Sequence, residues 1–121
     1  MAIPVTIADD SMLSRKTIRK ALPPGWDIEL TEASNGREAL AAVEAGKADV
    51  LFLDLQMPEL DGFEVLRRLH QHHAKTVVIV ISADIQPEAQ KLVAALGAFR
   101  FLQKPLQAAQ LEQTLNELGL L

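Results

Sequence analysis

The sequence predicts an α/β fold, with five parallel strands in one doubly wound sheet and five helices covering its two faces. Short aliphatic runs alternate with amphipathic segments along the chain, the pattern of successive βα units. Two runs, Val50–Leu53 and residues 77–81, are apolar at every position, as central strands buried on both faces must be. Four of the five runs break off in a charged or hydroxyl residue.

Ile3–Ala8 reads as the first strand, stopped by Asp9-Asp10-Ser11. Asp10 or Ser11 suits the N-cap of the next helix, where a short side-chain oxygen accepts from an orphan backbone N–H. Leu13, Ile18, Ala21 and Leu22 form that helix's apolar face, and Pro23-Pro24-Gly25 ends it. Residues 27–33 alternate Ile28 and Leu30 with Glu29 and Thr31, the pattern of a half-exposed edge strand. Asn35-Gly36 turns the chain into a second helix carrying Ala39, Leu40 and Val43, closed at Gly46. The central strand Val50–Leu53 runs into Asp54. The loop 57–62 then leads to a helix through Phe63, Val65, Leu66 and Leu69. Strand four, residues 77–81, stops at Ser82. Pro87 opens a helix that Gly97 closes, and residues 100–102 make a short last strand before Lys104-Pro105. Leu111, Leu115 and Leu118 stripe the terminal helix.

With 121 residues, 49% hydrophobic and 23% charged, the chain has the length and composition of one ordinary globular domain. Twelve basic against sixteen acidic residues leave a net charge of −4, so no positive field drives direct nucleic-acid binding. The absence of cysteine excludes disulfides, thiolate metal sites and Cys nucleophiles. The longest aliphatic run has five residues, against about 20 for a membrane span, and the first residues lack signal-peptide character. A cytoplasmic domain that does not engage the membrane is expected.

In open α/β sheets, ligands gather beyond the carboxyl ends of the strands. Asp9, Asp10, Asp54, Ser82 and Lys104 all fall on that edge. Three carboxylates brought together demand raised pKa values or a cation, and Mg²⁺ is the simplest hard dication for oxygen ligands. Ser82 and Lys104 offer a hydroxyl and a point charge to phosphoryl oxygens. The set describes phosphoryl transfer, with a central Asp able to act as nucleophile and become an aspartyl phosphate.

Asp9-Asp10, Asp54, Met57-Pro58, Asp61-Gly62, Ser82 and Lys104-Pro105, in this order, resemble the receiver domains of two-component response regulators over essentially the whole chain. The resemblance implies a CheY-like, flavodoxin-like sheet of order 2-1-3-4-5, and one response regulatory domain over residues 1–121. It implies Asp54 as phosphoacceptor, Asp10 as a direct Mg²⁺ ligand, Asp9 as a ligand through water and Gln56 as a backbone-carbonyl ligand. Ser82 and Lys104 then bind phosphoryl oxygens, the Lys104-Pro105 bond is cis, and Ser82 and Phe101 act as the switch pair. Phe101 departs from the commoner Tyr: lacking a hydroxyl, it reports only through packing. Gln56 and Asp84 border the pocket, and Ala83 leaves it open to a donor. Implied partners are a histidine kinase or phosphotransfer protein and a downstream effector meeting helix four, strand five and helix five. The only catalysis implied is the chain's own Mg²⁺-dependent phosphorylation and dephosphorylation. The length suits a complete single-domain regulator and equally the N-terminal receiver of a larger one.

Two other readings share parts of this pattern. A flavodoxin-like redox carrier needs a hydroxyl- and Gly-rich phosphate loop after strand one, where Asp9-Asp10 repels an anion. A haloacid-dehalogenase-like phosphatase places a second Asp two residues after its nucleophile, whereas Gln56 stands there. Arg15, Lys16, Arg19 and Lys20 read as a solvated basic face of helix one, which in the resembling family often meets the phosphodonor. His70, His72 and His73 read as helix C-terminal residues favoured by the helix dipole, not as metal ligands. Trp26, the sole tryptophan, precedes strand two, away from the acceptor.

Overall fold

The computed structural model describes residues 2–121 as ten alternating elements. They are β1 (Ile3–Ala8), α1 (Met12–Ala21), β2 (Ile28–Ala33), α2 (Gly36–Glu44), β3 (Val50–Leu53), α3 (Gly62–Gln71), β4 (Val77–Ser82), α4 (Pro87–Ala95), β5 (Arg100–Gln103) and α5 (Ala108–Glu117). All pairings are parallel and the sheet order is β2-β1-β3-β4-β5, as the sequence pattern and the resemblance led us to expect.

Three strand bounds differ from the sequence expectation. The strand β2 begins at Ile28, where the register with Ile3 starts, and the Asp27 carbonyl just before it accepts from Ile3 N–H at 3.0 Å. Both β4 and β5 run one residue further than their apolar stretches, because Ser82 and Gln103 still pair across the sheet. A polar side chain does not end a ladder while its backbone has a partner.

Local chemistry sets the helix starts. Ser11 caps α1 by accepting from Ser14 N–H at 3.2 Å, Asn35 caps α2 at 2.8 Å, and Asp61 caps α3 at 2.9 Å. The α4 start relies on Pro87, whose missing N–H would have been an orphan there. Gly46 and Gly97 follow the ends of α2 and α4 at φ +74° and +97°, the left-handed turn that glycine takes without a Cβ penalty.

The sheet divides the interior into two apolar layers. On one face Leu51, Leu53, Val78 and Val80 pack with Leu55, Val65, Leu66 and Val93. On the other, Val5, Ile7, Val50, Phe52, Ile79 and Ile81 pack with Ile18, Leu111 and Leu115. Burial on both faces makes β3 and β4 rigid mounts, and their carboxyl ends carry Asp54 and Ser82.

Candidate functional site

Every strand end except that of β2 delivers a polar group to one crevice. Asp9 leaves β1 with its N–H bonded to Ala33 O, and Asp54 leaves β3 with its N–H bonded to Ala8 O. These two bonds lock the first two carboxylates into register across neighbouring strands. Asp9 is fully buried and Asp54 is 7% exposed, whereas Asp10 is open to solvent. One carboxylate oxygen from each lies within 4.8 Å of the others.

Lys104 bridges the two buried carboxylates of this cluster. Its Nζ donates to Asp9 Oδ2 at 2.8 Å, sits 3.5 Å from Asp54 Oδ2 and reaches Ser14 Oγ at 3.3 Å. The Asp9 Oδ1 atom accepts from Ser11 N–H at 2.9 Å, and Asp54 Oδ1 accepts from Leu55 N–H at 2.8 Å. Among the described residues no buried side-chain polar atom is left without a partner. Burial raises the Asp54 pKa, the Lys104 charge opposes that rise and the Asp9 charge adds to it, leaving Asp54 above the ordinary carboxylate value. Burial pulls the Lys104 pKa down, but the hydrogen bond with Asp9 and the charges of Asp54 and Asp9 outweigh it and hold the amine above its ordinary value.

Ser82 closes the crevice from β4. It is buried, its Oγ accepts from Asp84 N–H at 3.1 Å, and its carbonyl accepts from Lys104 N–H at 2.9 Å. The Lys104–Pro105 peptide is cis. Gln56 lies exposed two residues beyond Asp54, and Ala83 is exposed beside Ser82. Phe101 pairs in register with Val80 and packs half-buried against the apolar layer that contains Val93. It is therefore joined to Ser82 through the β4–β5 ladder, without belonging to the carboxylate cluster.

A family model described as "Response regulator receiver domain" matches residues 5–116. The chain belongs to the response regulator receiver domain family. The transcriptional regulatory protein BtsR of Salmonella typhi is 38% identical to this receiver domain over 117 residues, which is 96% of this chain and 48% of the relative. The chain thus spans about half the length of the first curated relatives it matches. Its fold superposes with a TM-score of 0.86 on the signal receiver domain of the NarL response regulator from Mycobacterium tuberculosis, at 28% identity, covering 98% of this chain and 96% of that one. A CheX–CheY–BeF3–Mg complex from Borrelia burgdorferi gives a TM-score of 0.84 at 27% identity, covering 95% of this chain and 87% of the other.

The receiver domain's three clustered carboxylates are a donor set of hard oxygens, with no sulfur or imidazole among them. Two of them are buried and repel one another. That chemistry fits a hard dication such as Mg²⁺, which takes carboxylate oxygens and retains water. His70 and His72 stand in the last turn and at the C-cap of α3, and none of the three histidines joins a metal-competent group among the described residues.

One expectation for α1 needs correction. Its basic residues are not simply a solvated face: Arg15 and Arg19 both bond Glu32 of β2, and Arg15 also bonds the Asp9 carbonyl. Arg15 was not singled out as a site residue by the sequence pattern. Nothing in the spacing of α1 marks one basic residue as facing β2 while Lys16 and Lys20 remain exposed.

Proposed function

We propose that this receiver domain, one unit over residues 1–121, is a phosphorylation-operated switch in a two-component relay, with Asp54 as the acceptor. The observation that carries this reading is the cluster of Asp9, Asp10 and Asp54, with Lys104 bonded to Asp9 and poised 3.5 Å from Asp54. An oxygen of Asp54 forms a bond to phosphorus as the bond from phosphorus to the donor's imidazole nitrogen breaks. The imidazole, protonated on its other nitrogen, leaves neutral. Asp10, Asp54 and the Gln56 carbonyl, with Asp9 through water, would hold Mg²⁺, which would supply the charge neutralisation that lets an anionic carboxylate meet an anionic phosphoryl group. Lys104 exchanges its bond to Asp9 for a phosphoryl oxygen, and the Ser82 hydroxyl donates to another.

The donor in this reading is a histidine kinase or phosphotransfer protein in the cytoplasm, meeting the domain near the exposed Met12 and Leu13 at the start of α1. The new phosphate draws Ser82 and Lys104 toward it, and β5 passes the change to Phe101 and the α4–β5–α5 face, where an effector docks. The chain acts on no substrate beyond its own phosphorylation and dephosphorylation. Whether the effector is a separate protein or joined in the same chain, the same face serves. Incubation with acetyl phosphate and Mg²⁺ should label the wild-type chain by one phosphoryl group and leave Asp54→Asn unlabelled. Labelling of Asp54→Asn at the wild-type rate would overturn the choice of acceptor.

A further inference from the structure

Arg15 is held in a way that the stability of α1 does not require. The helix has its own N-cap in Ser11, and a surface arginine pair contributes only about 0–1 kcal/mol. Yet the Arg15 side chain is only 14% exposed and donates from two of its nitrogens. Its Nη1 donates to the Asp9 backbone oxygen at 2.7 Å and its Nε to Glu32 Oε1 at 2.9 Å. Arg19 Nη1 fixes the other Glu32 oxygen at 2.6 Å. A planar guanidinium meets these two acceptors with a rigid fork of donors, whereas a lysine offers one nitrogen on a flexible stem.

The carbonyl that Arg15 grips belongs to the peptide unit joining Asp9 to Asp10. Because that unit is planar, fixing its oxygen fixes the direction in which Asp10 leaves β1. Asp9 needs little help, being buried and bonded through both carboxylate oxygens. Asp10 is exposed, so packing does little to aim it. We propose that Arg15 is a positioning residue for metal capture: anchored by Glu32, it sets the Asp9–Asp10 peptide so that the Asp10 carboxylate stays within reach of Asp54. The proposal rests on the reading of these three carboxylates as the Mg²⁺ ligands.

Charge and positioning predict opposite signs, which makes the proposal testable. A cation beside a dication site repels the metal, so by charge alone removing Arg15 or Arg19 tightens Mg²⁺ binding. Positioning predicts that removing Arg15 weakens it. Titration calorimetry of Mg²⁺ into the whole chain, with Mn²⁺ electron paramagnetic resonance as a second readout, should give about 10-fold weaker binding for Arg15→Gln. The same titrations should give about 3-fold weaker binding for Arg15→Lys, and Arg19→Gln should equal or exceed the wild-type affinity. Labelling by acetyl phosphate should follow: the Mg²⁺ concentration for half-maximal rate rises for Arg15→Gln, while the rate at saturating Mg²⁺ stays near that of the wild type. Melting in EDTA reports whether each variant is folded, and if Arg15→Gln is not, Arg15→Lys decides. Arg15 variants that bind Mg²⁺ as tightly as the wild type, or Arg19→Gln weakened as much as Arg15→Gln, would overturn the positioning role. A wild-type chain that binds no Mg²⁺, or an Asp54→Asn variant that binds it equally, would instead bring down the metal-site reading on which the proposal stands.

Discussion

Asp54 is held in a charged cluster that disfavours its own ionisation. Burial and the neighbouring Asp9 raise its pKa above 3.8, and Lys104 only partly offsets them. The native state therefore holds the Asp54 proton more tightly than the unfolded chain does. Stability is lost as pH rises from the unfolded value through the raised native one, so at neutral pH the metal-free protein carries a destabilising charge. Asp54→Asn should raise the metal-free melting temperature at pH 7 by about 4 °C, the effect of about 1 kcal/mol in a chain of this size. The gain should fade as pH falls through the native titration range of Asp54, because both side chains are then neutral. A calorimetric pH series in EDTA measures it, and a gain that grew toward low pH would contradict the sign. Asp9, Asp54, Ser82 and Lys104 were legible as polar residues where apolar runs end, and a buried charge without a purpose is costly there. The resting partner of Lys104 was not legible. That Nζ lies closer to Asp9 than to Asp54 depends on how β1 and β5 face each other across β3 and β4, which no local pattern encodes.

At the scale of elements, the first residue of α3 is seated directly against the segment that carries Asp54 out of β3. Gly62 N–H donates to Leu55 O at 3.0 Å, and a Cβ at Gly62 would fall 2.3 Å from Asp54 O and 2.8 Å from Leu55 Cα. Those are backbone atoms of Asp54 and of the residue after it, just past β3, and cannot rotate aside. Gly62→Ala should cost about 2 kcal/mol in denaturant unfolding and slow labelling by acetyl phosphate, because relief of the clash shifts Asp54 itself. An unchanged midpoint and rate would show that α3 can retreat without moving the acceptor. In the sequence Gly62 closes a loop and belongs to the Asp61-Gly62 pair of the resemblance, but nothing local distinguishes a glycine needed for close approach from one needed for a turn. Element order and type were legible because the change from fully apolar runs to striped ones is strong. The last residues of β4 and β5 were not, because their membership depends on a partner strand.

Across the whole molecule, β5 touches both apolar layers, as β3 and β4 do, and leads directly to Lys104. Phe101 packs into one layer and its neighbour Leu102 into the other, while Lys104 follows directly after the strand. Beryllofluoride with Mg²⁺ should therefore shift amide resonances at Asp54, Ser82 and Lys104 and continue through β5 into both α4 and α5. Shifts confined to regions away from Asp54 and Ser82 would sink the switch reading. Trp26 lies at the opposite end of the sheet, where its indole N–H donates to Leu120 O at 3.1 Å and its ring packs on the layer containing Leu115. A six-residue strand spans about 20 Å, too far for a ligand at Asp54 to quench the indole by contact. As the chain's only tryptophan, its emission is thus an optical gauge of how the segment following α5 is seated. A change in that emission on adding the phosphate mimic would measure movement delivered across the domain, with no contribution from the chemistry at its source.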